Sequence, residues 1–217
     1  MEKMSINEVR SLLFRCAKEY KIKLCDRQFL IIFKKSSESD IYGFFEAKFK
    51  AGNFQHLSGI EHPSDKKNIQ SSAGFFRKCY SNKLSNSEII FKKDGTTRLK
   101  LKVLPYAMDF VKLAKMVGIP DDKTAELDVS FMSGGIKYCL GFRKDEDSDT
   151  YIPVTLLDRD IRTICTDTYQ ILGIMEKACG DQNSYNRIRY TAKNIDLSKL
   201  NLPDEIKNRI QLSENKD

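Results

Sequence analysis

The two histidines of the chain stand six residues apart, in Lys48-Phe49-Lys50-Ala51-Gly52-Asn53-Phe54-Gln55-His56-Leu57-Ser58-Gly59-Ile60-Glu61-His62. Imidazole is the side chain whose ordinary pKa lies nearest neutrality, so it can take and return a proton at physiological pH. With 37 Lys+Arg and only two His, the chain has few other groups suited to that work. His56 lies among apolar neighbours, near a glycine and just after the lysine pair, a setting that serves either catalysis or a structural histidine. It is the stronger candidate of the two, and His62 is expected to be peripheral. Cations such as Lys100 and Arg143 and hydroxyls such as Thr155 complete the kit. Such a kit suits RNA cleavage by transesterification. The substrate's own 2′-hydroxyl is the nucleophile, and the protein supplies a base, an acid and cations for the crowded phosphorane.

Other chemistries find little support. No Walker loop, dinucleotide fingerprint, nucleophile elbow or metal-binding cluster is present, so neither a metal nor a cofactor is expected. Gly134-Gly135 reads as a hairpin turn. Asp158 and Asp160, beside Arg159 and Arg162, could hold a cation but read more simply as a solvated helix start. The six cysteines, at 16, 25, 79, 139, 165 and 179, form no Cys-x-x-Cys pair and are not spaced to complete a zinc site with either histidine. They read as buried, reduced thiols. No apolar run approaches 18 residues and the N-terminus leads into an amphipathic segment, so a soluble, cytoplasmic protein with no membrane partner is expected.

The charge is unevenly placed. Residues 1–118 carry 23 basic and 12 acidic side chains, a net of +11, whereas residues 119–217 carry 14 and 18, a net of −4. A positive first half implies a polyanionic partner, with RNA the first choice. Lys50, Arg77, Lys78 and Lys102 are the expected phosphate contacts.

Elements must bring these groups together. Residues 6–20 have helical apolar spacing, and Ser5 with Glu8 forms a capping box at their start. Phe29–Phe33 and Ile41–Phe49 read as strands, which places His56 at or just past the end of the second. A helix is expected from Pro63–Asp65 to about Tyr80. Arg98–Leu104 alternates cation with aliphatic and reads as a strand presenting Arg98, Lys100 and Lys102 on one face; a helix from Tyr106 to Val117 follows Pro105. Strands are expected at 126–132, 136–142 and 151–155, with 171–175 and 187–190 extending the sheet and a short helix at 203–211. The change near residue 119 is one of charge and structure type, not a flexible linker. The expected architecture is a single α+β domain over 1–217: an antiparallel sheet of at least four strands, with helices packed mainly on one face.

Asn53-Phe54-Gln55-His56-Leu57-Ser58-Gly59-Ile60 resembles the Asn-Phe-x-His-Leu-Thr-Gly core of a phage-associated nuclease-like domain. Further matches follow in order at Phe75–Cys79 with Lys83–Ser85, Gly95–Lys100, Gly141-Phe142, and Pro153–Leu157 with Asp158, spanning about residues 40–165. The domain belongs to the barnase–EndoU–colicin–RelE superfamily, and the resemblance is to its fourth phage subgroup. Ser58 replaces the expected threonine, a conservative change. By position His56 is the strongest catalytic match, Lys100 and Thr155 are weaker ones, and no general acid is placed. The resemblance implies a barnase/EndoU/RelE-like α+β fold and a metal-independent endoribonuclease of a bacterial phage or mobile element. A toxin role, with an immunity or antitoxin protein as partner, goes with that reading. The alternative is a non-enzymatic nucleic-acid-binding or interaction protein on the same scaffold.

Overall fold

Ser5 starts the first helix, α1 (Ile6–Lys23), through the expected box: its Oγ accepts from the Glu8 amide at 3.3 Å while its own amide donates to Glu8 Oε2 at 2.6 Å. The structure, a computed structural model, describes residues 4–35, 40–61, 71–121 and 127–211. Val9, Leu12, Leu13, Cys16, Ala17 and Tyr20 form the buried stripe of α1. Strands β1 (Arg27–Lys34) and β2 (Tyr42–Phe49) follow, then helix α2 (Asn53–Ser58) and the short strand β3 (Ile60–Glu61). Helix α3 (Ser72–Tyr80) and strand β4 (Ile90–Phe91) lead to helices α4 (Thr96–Met108) and α5 (Phe110–Leu113). The second half holds β5 (Met116–Pro120), β6 (Phe131–Gly134), β7 (Cys139–Lys144), β8 (Tyr151–Leu157), β9 (Cys165–Ala178) and β10 (Arg187–Thr191), with a last short helix, α6 (Asp204–Lys207).

The expected antiparallel sheet with helices packed mainly on one face is not what forms. The strands run in the order β1-β2-β8-β7-β6-β5-β9, and β9 also pairs with β1, which closes seven strands into a barrel; β10 adds to β9 outside the ring. Two features make closure possible. The 14-residue β9 is long enough to pair with β5 through its first half and with β1 through its second. β2 and β8 meet in a parallel pairing at Ala47 and Tyr151, while every other pair in the ring is antiparallel. Closure removes the unpaired edges that an open sheet would present.

The layering also departs from one-sided packing. Phe29, Ile31 and Phe33 of β1 join Phe45, Ala47 and Phe49 of β2, Leu140 and Phe142 of β7 and Leu156 of β8 in one apolar cluster that includes α1 to α5. Leu30 and Ile32 point to the other face, where Tyr185, Leu197, Leu202 and Ile206 of the C-terminal segment cover them. Burial on both faces explains the uninterrupted apolar run of β1, since only a half-solvated strand needs to alternate. The C-terminal cover is tied to β2 through Glu46, which accepts from Gln28, the Tyr185 hydroxyl and Arg209 Nε, each at 2.7 Å.

Local expectations meet three other outcomes. Residues 98–104, expected as a strand, lie inside α4. Their aliphatics serve a 3.6 period as well as a period of two, and Thr97, Leu101, Leu104 and Met108 face the core while Leu99 is exposed. Pro105 sits within that helix instead of ending an element before it, at the loss of one backbone hydrogen bond. Residues 116–120, expected to close a helix, form β5. His62 and the expected helix start at 63–65 lie outside the described residues, as does Glu126.

Candidate functional site

Helix α2 carries the histidine motif, and most of its side chains are spent on holding it in place. Asn53 Oδ1 accepts from the Lys50 amide at 2.7 Å, and the Lys50 carbonyl accepts from the Tyr20 hydroxyl at 2.8 Å. Phe54 packs its ring against Tyr20 and Phe76, with centroids 5.4 Å away in each case. Ser58 Oγ donates to the Gln55 carbonyl at 2.8 Å and accepts from the Ile60 amide at 3.3 Å, a bridge that the threonine expected there would also make. Asn53, Phe54, Gln55, Leu57 and Ser58 are buried; His56 is the one exposed side chain of the helix.

Gly59 ends α2 in the left-handed region, φ +69°, where a side chain is strained. Its amide donates to the Gln55 carbonyl at 3.0 Å and its carbonyl accepts from Thr97 Oγ1 at 2.7 Å, which pins the end of α2 to the start of α4. A second tie lies beside it: Lys100 Nζ donates to the His56 carbonyl at 3.0 Å. A Cβ on Gly59 would stand 2.8 Å from Lys100 Cδ and 3.3 Å from Thr97 Cα. Gly59→Ala is therefore expected to lower stability by about 1–2 kcal/mol, from left-handed strain plus this clash. Urea unfolding checks it, and a midpoint equal to wild type would show that the approach of α4 is not tight.

Beside Lys100 opens a cleft of about 470 Å³. Lys92, Asp94 and Lys100 line one side, with Thr155, Asp158 and Arg159 on the other. Two stretches that carry the family resemblance form its walls, residues 95–100 and 153–158, and a third, residues 53–60, adjoins it through the His56 carbonyl on Lys100. Burial pushes the Lys100 ammonium down to about 8; Lys92 adds to the depression and Asp94 opposes it. The Asp94 carboxyl is itself held below its usual range by the Thr96 hydroxyl and amide, which donate to it at 2.7 and 2.9 Å.

The structure brings Lys100 and Thr155 to one cleft and joins the His56 backbone to it through Lys100; the His56 side chain is not among the cleft walls. Arg143 stands apart, exposed on β7 and paired with Asp128 at 2.9 Å. Of the expected phosphate contacts, Arg77 is exposed on α3, but the other three are engaged with carboxylates. Lys50 pairs with buried Asp145 at 2.8 Å, Lys78 with Glu88, and Lys102 with Asp158 at 2.5 Å. Helical geometry also separates Lys100 from Arg98 and Lys102, which a strand would have aligned. Lys92 and Asp94 are wall residues that the sequence does not single out, and Arg159 enters there only as a neighbour of Asp158; all three lie next to matched stretches.

Other candidate chemistries have a clear local reading. Burial pushes the thiols of Cys16, Cys25, Cys79, Cys139 and Cys165 up to about 12, far from the thiolate a nucleophile needs. Asp160 caps the turn at 161–163, accepting from the Arg162 amide at 3.0 Å. Among the described residues, no group of three or more His, Cys, Asp or Glu is placed to hold a metal ion. No helix of the described residues is long and apolar enough to cross a membrane.

No curated protein and no solved structure matches the chain. The profile of one family, described as phage-Barnase-EndoU-ColicinE5/D-RelE like nuclease4, matches residues 12–210. That span is wider than the motif region at 40–165 and takes in every strand of the barrel, together with α2, α4 and the cleft between α4 and β8. With residues 12–210 matched, nearly its whole length, the chain belongs to the phage-Barnase-EndoU-ColicinE5/D-RelE like nuclease4 family and carries a nuclease-like domain.

Proposed function

We propose that the cleft between α4 and β8, beside α2, is a ribonuclease site that cleaves RNA by metal-independent transesterification. The observation that carries this reading is Lys100: a cation half-buried in the cleft, depressed to about 8, touching the His56 carbonyl and sharing its walls with Thr155. In the proposed step the substrate lies across the mouth of the cleft onto α2, where exposed His56 takes the proton of the 2′-hydroxyl, whose oxygen attacks the adjacent phosphorus. The P–O5′ bond breaks, and Lys100 gives a proton to the departing 5′-oxygen. The products are a 2′,3′-cyclic phosphate and a 5′-hydroxyl. Thr155 donates a hydrogen bond to a non-bridging oxygen, and Lys92 and Arg159 offset the charge that builds there. The test is cleavage of end-labelled RNA by purified protein in excess chelator, with the cyclic phosphate identified on the product. Activity that vanishes with chelator would replace this reading by a metal nuclease. Absence of cleavage of any RNA would leave the binding-protein alternative.

The pH dependence has a definite sign. The falling limb belongs to Lys100, which gives up its proton near 8, so activity is expected to decline through that pH. Lys100→Arg should carry the falling limb out of the measurable range, because a guanidinium stays charged. A falling limb unchanged in that variant would remove Lys100 from the proton inventory. Stability moves the other way. The unfolded chain keeps this proton up to the ordinary 10.5 while the folded chain releases it near 8, so the contribution of Lys100 to stability improves between those values. Loss of activity above pH 8 therefore cannot be assigned to unfolding driven by this residue.

A further inference from the structure

At the far end of α4 lies a second concavity, of about 350 Å³, lined by Lys23, Arg27, Lys112, Arg187 and Arg189 around Asp109. Met108, one of its apolar walls, is eight residues from Lys100, which sets the two sites about 12 Å apart along the helix. We propose that this pocket binds backbone phosphate of a nucleic-acid strand.

Behind the pocket sits Glu176, 3% exposed, on which three arginines converge. Arg27 makes a short contact with Oε1 and Arg189 donates to Oε2 at 2.8 Å, so both oxygens are filled. Arg187 reaches Oε1 only at 3.5 Å and is 63% exposed. Lys112 is exposed and has no ion pair among the described residues. Five cations thus face three carboxylates: Glu176, and Asp109 with Glu19, which together hold Lys23, Asp109 at 2.8 Å. Neutralising one buried carboxylate needs a single well-oriented guanidinium; two more leave net positive charge at the mouth. Guanidinium forks match phosphate oxygens two at a time. The apolar walls Ile22, Met108 and Val111 keep the surroundings poorly polarisable, which strengthens the attraction. A nucleic-acid occupant is favoured over an acidic protein because the domain is nuclease-like. The proposal does not depend on the cleavage chemistry, since Arg27, Arg187 and Arg189 lie outside the first cleft.

The test uses the full chain and a fluorescent 2′-O-methyl oligoribonucleotide, which has no free 2′-hydroxyl and so reports binding whether or not the protein cleaves RNA. The variant is Lys112→Gln with Arg187→Gln, which leaves Arg27 and Arg189 to satisfy Glu176. Affinity is expected to fall about tenfold, and the slope of log affinity against log salt to become shallower by about 1.4, or about 0.7 for each phosphate that is no longer neutralised. Equal affinity and slope in a folded variant would overturn the proposal. Should the double variant fail to fold, Lys112→Gln alone decides it, with a slope change of about 0.7 expected and no change overturning it. Inorganic phosphate and polyglutamate are run as competitors. If phosphate binds through these residues while oligonucleotide affinity is unaffected by the variant, the pocket serves a free anion and the strand proposal fails. Polyglutamate competing as well as the oligonucleotide would point to an acidic protein partner instead.

Discussion

Replacing His56 by alanine is expected to reduce RNA cleavage by about a hundredfold or more, the usual cost of losing a general acid or base, with the fold intact. Both halves of that expectation come from α2. Asn53, Ser58 and Gly59 make the hydrogen bonds that start and end the helix, and Phe54 and Leu57 bury its apolar side. The tie from His56 to α4 runs through the backbone carbonyl, which alanine retains. Alanine is also the best helix former, and an exposed substitution of this kind ordinarily shifts stability by no more than about 0.5 kcal/mol. Single-turnover cleavage and thermal unfolding of the same samples check both. Equal cleavage by wild type and variant would assign the activity to a contaminant, and a collapse in stability would make His56 a structural residue.

Phe49→Ala is expected to cost about 3–5 kcal/mol, a large part of what a single domain has available. Phe49 is fully buried at the end of β2, where the barrel meets the helices. Its ring lies 5.6 Å from Phe29, 5.7 Å from Phe110, 6.1 Å from Phe142 and 6.3 Å from Tyr20, so one truncation opens a void between β1, β7, α1 and α5. Rings from four elements cannot collapse onto a methyl group without moving their backbones, which places the cost near the upper part of the range. Denaturant unfolding measures it. A loss below about 1 kcal/mol would mean that this junction repacks freely and is not the centre of the core.

Cleavage and stability depend on different kinds of information, and they were not equally legible. The start of α1 was readable because a capping box is a contact between residues three apart. β1 was readable as an apolar run, and the motif around His56 as a matched string. The family itself was visible in residues 53–60, whose side chains now have individual physical reasons: Asn53 and Ser58 as hydrogen-bonding brackets, Gly59 as a left-handed end, His56 as the exposed remainder.

The residues themselves determined which side chains are available: one well-placed histidine, an excess of cations, and cysteines suited to burial. Tertiary structure decided what those side chains do. Alternation in residues 98–104 is compatible with a strand or a helix, and only the core against Leu101 and Leu104 selected the helix, turning Lys100 away from Arg98 and Lys102. A period of two identifies a strand but not its partner, so closure through β9 and through the single parallel meeting of β2 and β8 could not be read from pattern. Net charge by half-chain likewise does not say which cations are spoken for. Lys50, Lys78 and Lys102 come from the positive half and meet carboxylates, whereas Arg187 and Arg189 come from the acidic half and, beside Arg27, form a strongly cationic hollow. Charge acts through distance and burial, and a barrel that joins residue 27 to residue 178 sets both without regard to order along the chain.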